Sequence, residues 1–137
     1  MSWSRCSKSN RIKLPKLNVS LDRVIKETVG LRPFRRNGFR LEKETLGAKT
    51  IIHNYGHGGS GWSLSWGTGR QAVALAETTS EKKFAVLGCG VIGITTARLL
   101  QSKGYEVSIY AKELPPQVTS SKATGTWSPS YRLIDDE

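Results

Sequence analysis

The chain has 137 residues, of which 37% are hydrophobic and 23% charged. This composition indicates a folded globular domain and excludes a disordered or low-complexity chain. The formal net charge of +10 is concentrated in residues 1–80, which hold 14 Lys and Arg against 5 Asp and Glu. The basic residues near the N-terminus show no aromatic interleaving, helical stripe or zinc spacing. We therefore expect a solvated basic arm and no nucleic-acid partner.

Membrane and secretion signals are not readable in the sequence. No apolar run approaches the roughly 18 residues that a membrane helix needs. The first ten residues lack the apolar core of a signal peptide. The two cysteines, Cys6 and Cys89, give neither a disulfide framework nor a metal spacing. These features favour a protein inside the cell without a membrane partner.

The first half of the chain predicts few regular elements. Residues 1–20 are polar and interrupted by Pro15, so we expect an extended arm. Residues 21–28 predict a short helix with Ser20 as a candidate N-cap. Residues 39–42 alternate like a half-buried strand, and Thr50-Ile51-Ile52 is a short β-branched run. A glycine-rich segment from 56 to 69 then predicts sharp turns or close backbone approach, and residues 71–77 favour helix.

The second half predicts a strand, a helix and a strand. Residues 84–87 are predicted to form a buried strand. Residues 91–103 carry apolar side chains at a helical period, with Gly104 as a stop. Residues 106–110 predict the next strand, and the chain from Leu114 onward predicts a long loop.

The turn between the first of these strands and the helix has the pattern G-x-G-x-x-G. In this context each glycine has a distinct physical role. Gly88 permits the tight turn, Gly90 lets a pyrophosphate approach the backbone, and Gly93 lets helix and strand pack closely. The amides of the helix N-terminus, including those of Val91 and Ile92, favour an anion there. The pattern predicts a dinucleotide site.

An acidic residue after the second strand commonly binds the adenosine ribose of such a ligand. Glu113 lies 20 residues after Gly93, near the expected offset, and Lys112 precedes it. Both side chains are candidate ligand contacts, and both are equally compatible with solvated loop charges.

Residues 84–128, taken together, resemble the family of D-amino-acid oxidases and D-aspartate oxidases, which use FAD. Residues 86–93 are similar to the first strand and turn of that family, and residues 110–115 to the end of its second strand. The resemblance implies that the following loop closes over the flavin. On that basis we expect cofactor contacts from a further set of residues in this loop: Thr119, Ser120, Gly125, Thr126 and Ser128.

A second resemblance lies upstream. Gly30-Leu31-Arg32-Pro33 and the run from His53 to Gly61 are similar to the C-terminal signature of the same family. The resemblance implies that Arg32 binds the substrate carboxylate, which suits a bidentate guanidinium. It also implies that a helix from about Gly67 aims its N-terminus at the flavin C2 carbonyl. The expected flavin contacts in this segment are Gly58, Gly59, Gly61, Trp62 and Ser63.

The two signatures occur in the reverse of the family's usual order, and the family's middle section has no counterpart. We expect an α/β fold: a partial Rossmann-like FAD-binding domain (βαβ) with an N-terminal glycine-rich extension. Its predicted parts are the arm 1–20, a flavin and substrate segment 21–78, and a dinucleotide-binding segment 82–137, the last two forming one domain 21–137. We interpret the chain as a fragment of a longer permuted oxidase.

The resemblance implies oxidative deamination of D-amino acids by O2, which gives a 2-oxo acid, ammonia and hydrogen peroxide, with FAD as the cofactor. It points to the cytoplasm or the peroxisome. Two alternatives stay open: an NAD(P)-binding oxidoreductase module and a catalytically inactive dinucleotide-binding fragment. A homo-oligomer also stays open.

Two histidines four residues apart, His53 and His57, have a metal spacing only if they lie on a helix. The glycines around His57 disfavour a helix, so we expect no metal and a structural role in which both imidazoles bond loop backbone. We expect Cys89 to be small and buried.

Overall fold

The structure, a computed structural model, describes residues 15–127. Within these residues, a short 3-10 helix precedes the regular elements at Leu21–Arg23, and another follows them at Thr119–Lys122. In chain order, the regular elements are β1 (Arg40–Leu46), β2 (Lys49–Tyr55), α1 (Gly61–Glu77), β3 (Lys83–Leu87), α2 (Val91–Ser102) and β4 (Glu106–Tyr110).

The first sheet is an antiparallel hairpin of β1 and β2, in which Arg40 lies opposite Tyr55 and Leu46 opposite Lys49. Gly47 has φ of +58° in the two-residue turn, a conformation that suits glycine. The pattern at residues 39–42 predicted the first strand, and the β-branched run at residues 50–52 lies within the second; both strands extend beyond these short patterns. Cross-strand pairing supplies the hydrogen bonds that the sequence pattern alone could not show.

The second sheet contains β3 and β4 in parallel, with Phe84 opposite Val107 and Leu87 opposite Tyr110. The helix α2 connects them, so the predicted βαβ unit is confirmed. Gly104 follows the helix with φ of +84°, as expected for a glycine that ends a helix.

The core lies between the helices and one face of each sheet. Val73 and Ala76 of α1 and Leu100 of α2 are nearly inaccessible to solvent, at 2%, 3% and 3% exposure. The glycines of α1 allow this close packing: a Cβ atom on Gly69 would lie 3.0 Å from the Leu99 side chain. The two helices therefore form one layer that carries the hairpin and the parallel pair.

Three predictions about these elements were wrong. The helix predicted over 21–28 is only the 3-10 turn Leu21–Arg23, and Ser20 makes no side-chain cap there. Ile25, at 99% exposure, packs on nothing within the described residues, and a short helix without tertiary packing is unstable. The strand β3 alternates instead of being buried, since Leu87 is 82% exposed.

The third error concerns α1, which begins at Gly61 instead of Gly67. Propensity disfavours glycine in a helix, but the contact with α2 compensates for it here. No helix in the part of the chain that the structure describes is long and apolar enough to cross a membrane.

Candidate active site

An open groove of about 380 Å³ lies at the carboxyl ends of the parallel strands β3 and β4. Ligands of doubly wound α/β proteins bind at this edge of the sheet. The groove brings together both parts of the predicted dinucleotide site and the first part of the following loop. Its walls are formed by Gly88, Cys89, Gly90, Ala111, Lys112, Glu113, Val118, Thr119 and Ser120.

The fingerprint glycines have the geometry that their spacing predicts. Gly88 has φ of +107°, and its N–H donates to the Tyr110 carbonyl at 2.8 Å, so the chain turns as soon as the strand pairing ends. A Cβ atom on Gly93 would collide with the carbonyl oxygen of Gly88. Gly90 is the N-cap residue of α2 and is extended. The helix therefore starts directly against the strand end.

The side chain of Ser120 lies against this turn. Its Oγ accepts a hydrogen bond from the Val91 N–H at 3.0 Å, and a Cβ atom on Gly90 would lie 3.1 Å from it. A hydroxyl has one hydrogen to donate and accepts through its lone pairs. Because Oγ accepts from the helix, its own hydrogen remains free to donate to an anion in the groove.

The glycine-rich segment reaches the same place through α1. Gly61 lies close to α2, where a Cβ atom on it would be 3.4 Å from the Val91 side chain. Trp62 donates its Nε1–H to the Ser120 carbonyl at 2.9 Å. Ser63 is exposed in the same first turn of α1. The N-termini of both helices thus converge beside the loop that contains Ser120.

Arg32 lies beside the glycine-rich run. An antiparallel bridge joins Phe34 to His57, and the Gly58 N–H donates to the Pro33 carbonyl at 3.1 Å. In the same register, a Cβ atom on Gly59 would lie 2.6 Å from Arg32 Nη1. Glycine at this position therefore leaves room for the guanidinium.

The segment that carries Arg32 also contacts the loop after β4. A Cβ atom on Gly30 would lie 3.2 Å from the Thr119 Cγ2 atom. Thr119 itself lines the groove. The expected substrate-binding segment and the expected cofactor loop are therefore neighbours.

Sequence reasoning missed a second arginine–glycine pair. The Arg35 side chain fills the space where Gly56 would carry a Cβ atom, and its guanidinium lies 5.3 Å from the ring centre of Tyr55. The signal was present, because two arginines three apart face two glycines three apart in antiparallel register.

Other members of the predicted set have different positions. Gly125 and Thr126 are exposed and do not line the groove, while Ser128 lies outside the described residues. Cys89 was expected to be buried, but it is only partly buried and lines the groove. Val118, which sequence reasoning missed, is 9% exposed and anchors the loop. The only sign of its burial in the sequence was that it is a single apolar residue in a polar stretch.

His57 is structural, though not through loop backbone as predicted. Its ring is 1% exposed, stacks on Phe39 at 5.0 Å, and bonds Thr68 Oγ1 through Nε2 at 3.1 Å. Thr68 donates its hydrogen to the Leu64 carbonyl, so the His57 Nε2 carries the hydrogen of the shared bond. Burial lowers the pKa of His57, which favours this neutral ring.

His53 lies on β2, and its Nε2 is 2.7 Å from Glu44 Oε2. This contact and the ion pair with Arg40 lower the pKa of Glu44. His53 therefore also bonds a side chain instead of loop backbone. Between residues 15 and 127, no group of three or more His, Cys, Asp or Glu side chains could hold a metal ion.

A parallel βαβ unit with a glycine fingerprint and an open groove at its strand ends is the arrangement typical of a dinucleotide-binding domain. Comparison with protein families gives the particular class. Residues 9–75 and 83–137 match the family described as FAD dependent oxidoreductase. The matched residues make up most of the chain, which belongs to this family. FAD is the family's cofactor.

Curated relatives are similar over part of the chain. A D-aspartate oxidase of Cryptococcus neoformans var. grubii is 56% identical over 54 residues, which are 38% of this chain and 14% of that protein. A D-aspartate oxidase of Talaromyces thermophilus is 45% identical over 62 residues, 44% of this chain and 17% of the relative. A D-amino-acid oxidase of Rubrobacter xylanophilus is 54% identical over 55 residues, 39% and 17% of the two chains.

The chain therefore spans 14% to 17% of the lengths of these relatives. No solved structure matches it significantly.

Proposed function

We propose that the protein serves the oxidative deamination of D-amino acids, in which a D-amino acid, O2 and water give a 2-oxo acid, ammonia and hydrogen peroxide. The names of its relatives support this substrate class. The structural observation that carries it is the position of Arg32, whose segment contacts the groove loop through Gly30 and Thr119.

The groove suits the pyrophosphate and ribose of FAD. Gly90 keeps the turn open for phosphate oxygens, and the N-terminal amides of α2 together with the free hydrogen of Ser120 favour negative charge. Glu113 lines the wall where a ribose hydroxyl would bind, and Lys112 supplies a positive charge beside it. When bound, FAD accepts the hydride that leaves the substrate Cα.

Arg32 would orient the substrate. Its side chain is exposed, and no carboxylate of residues 15–127 pairs with it, so among these residues nothing competes with a substrate carboxylate for the guanidinium. A bidentate pair fixes the substrate carboxylate in direction as well as in position. The first turn of α1, at Gly61, Trp62 and Ser63, would face the flavin side with its positive helix end. Such positioning lowers the barrier without an acid–base residue of unusual pKa.

Anaerobic flavin reduction tests this proposal. The 137-residue chain is mixed with less than one equivalent of FAD, and the flavin band near about 450 nm is followed after addition of D- or L-amino acid. We expect D-aspartate or D-alanine to bleach the band and the L-enantiomers to leave it unchanged. Bleaching by neither enantiomer, with FAD bound, would contradict the proposed substrate class.

The structure also favours a second candidate, an FAD-binding unit with little turnover of its own. Leu87 and Tyr110, on the same face of the parallel sheet, are 82% and 61% exposed, and the groove is open to water. Exposed sheet faces and edges favour association over cofactor capture. We expect the chain by itself to bind FAD weakly and to release no measurable peroxide in air. Stoichiometric yellow protein with rapid peroxide release would exclude this second candidate.

A further inference from the structure

The loop Thr119–Lys122 forms one wall of the groove, and three separate segments hold it. Gly30 contacts it at Thr119, α1 contacts it through Trp62, and α2 contacts it through Val91. Two of these contacts meet at Ser120. The position of this residue therefore determines where the loop lies relative to the fingerprint turn.

Ser120 is held through both its side chain and its backbone. Its hydroxyl accepts from the Val91 N–H at 3.0 Å, and its carbonyl accepts from the Trp62 Nε1–H at 2.9 Å. The first bond depends on the serine side chain. The second joins the Trp62 side chain to the backbone carbonyl of residue 120, so a substitution at 120 leaves its acceptor in place.

The donor comes from a distant part of the sequence. Trp62 and Ser120 are separated by 58 positions, and the tryptophan lies in the first turn of α1, beside the start of α2. The ring is 46% exposed, so its position is not explained by burial alone. An indole has a single N–H to donate, and here that hydrogen is committed to the loop.

We propose that Trp62 is a positioning residue that clamps the loop 119–122 against the N-terminus of α2 and so preforms the FAD groove. A loop that the chain's own contacts hold in place does not have to be ordered by the cofactor, so binding would not have to supply that ordering entropy. The inference rests on the proposed function for its cofactor, but the hydrogen bonds of the clamp join only residues of this chain. This role of Trp62 operates through Ser120 and adds to the orientation of the first turn of α1 toward the flavin proposed above.

Hydrogen exchange of the cofactor-free 137-residue chain tests the clamp directly. Trp62→Phe keeps an aromatic ring and removes the N–H donor. We expect exchange of the amides in residues 117–124 to rise about 3- to 10-fold, as the loss of one hydrogen bond predicts, with α1 unchanged. Trp66→Phe is the matched control, since Trp66 lies on the same helix with 54% exposure and should leave this region unchanged.

A second variant guards against misfolding of the first. Replacement of Trp62 with benzothienylalanine keeps the bicyclic shape and exchanges only the N–H for sulfur. It should reproduce the local increase in exchange while α1 stays protected. An unchanged loop in this variant, or an increase spread evenly over α1, would overturn the clamp in favour of a purely helical role for the ring.

FAD titration by flavin fluorescence supplies the functional readout. We expect Trp62→Phe and Ser120→Ala each to raise the Kd for FAD about 3- to 10-fold. The double variant should be less impaired than the product of the two, because both changes release the same loop. Full additivity would show that Trp62 does not act through Ser120. If the parent chain binds no FAD, the proposed function fails. The exchange experiment still shows whether Trp62 holds the loop 119–122 in place.

Discussion

Gly93, in the first turn of α2, lies directly against the carbonyl oxygen of Gly88, with no space for a Cβ atom between them. The obstacle is backbone at the end of a strand, which cannot move like the end of a side chain. We expect Gly93→Ala to destabilise the fold by about 1–3 kcal/mol, as overpacking usually does.

Chemical denaturation measures this effect. Gly67→Ala is a matched control, because Gly67 also lies in a helix but a Cβ atom on it meets nothing within 4 Å. Since alanine is the better helix former, the control should gain up to about 1 kcal/mol. Equal effects of the two substitutions would show that the close approach of helix and strand is not tight in solution.

Gly90→Glu should abolish FAD binding and leave the secondary structure largely intact. The side chain would enter the space between the fingerprint turn and Ser120, where the pyrophosphate is expected, and bring a negative charge with it. Flavin fluorescence titration measures the loss, and far-UV circular dichroism checks the fold. Equal FAD retention in variant and parent would remove the fingerprint from the proposed site.

Arg32→Ala should slow flavin reduction by the substrate far more than it weakens FAD binding. Loss of a bidentate carboxylate contact costs on the order of 2–4 kcal/mol. This corresponds to a decrease of about 30- to 1,000-fold in the second-order rate constant for flavin reduction by the substrate. Arg36→Ala removes the same charge from an exposed neighbouring position and serves as the control. If both variants behave alike, Arg32 contributes only to the general positive charge of this segment.

The buried His57 makes stability depend on pH. Its pKa is lowered from the ordinary 6.5 by burial, so the unfolded chain binds the proton more readily than the folded one. The contribution of the neutral ring to the free energy of unfolding should therefore be fully present above about pH 6.5 and decrease as the pH falls below that value. Urea titrations between pH 7.5 and about 5 measure the slope.

His57→Gln should flatten that slope, although it also lowers stability at every pH. All other residues are the same in both proteins, so the difference between the two slopes isolates residue 57. An unchanged slope would mean that the ring is accessible to protons in the folded state.

The sequence predicted those parts of the site that depend on local geometry. The spacing of Gly88, Gly90 and Gly93 implies a specific turn, and Glu106–Tyr110 was predicted with its observed bounds because a short stretch with two β-branched residues follows a helix stop. The pairing of the Arg32 segment with the glycine-rich run was not predicted. Its signal in the sequence is the matched spacing of two arginines and two glycines, which gains meaning only once the antiparallel register is known.

Contacts between distant segments could not be predicted from sequence. The bond from Trp62 to Ser120 ends on a backbone carbonyl, which every residue possesses, so no residue type marks the acceptor. The start of α1 at Gly61 was missed for a related reason. The value of its glycines lies in the space they leave for Val91 and Leu99, and that space exists only after the two helices have packed.

The short connection between α1 and β3 has a consequence for how this protein can be handled. Only residues 78–82 join the two. The two sides of this connection hold one another through the face shared by α1 and α2 and through Trp62 and Ser120. A cut within 78–82 would therefore yield two polypeptides with complementary surfaces, and mixing them should restore the groove by non-covalent reassembly.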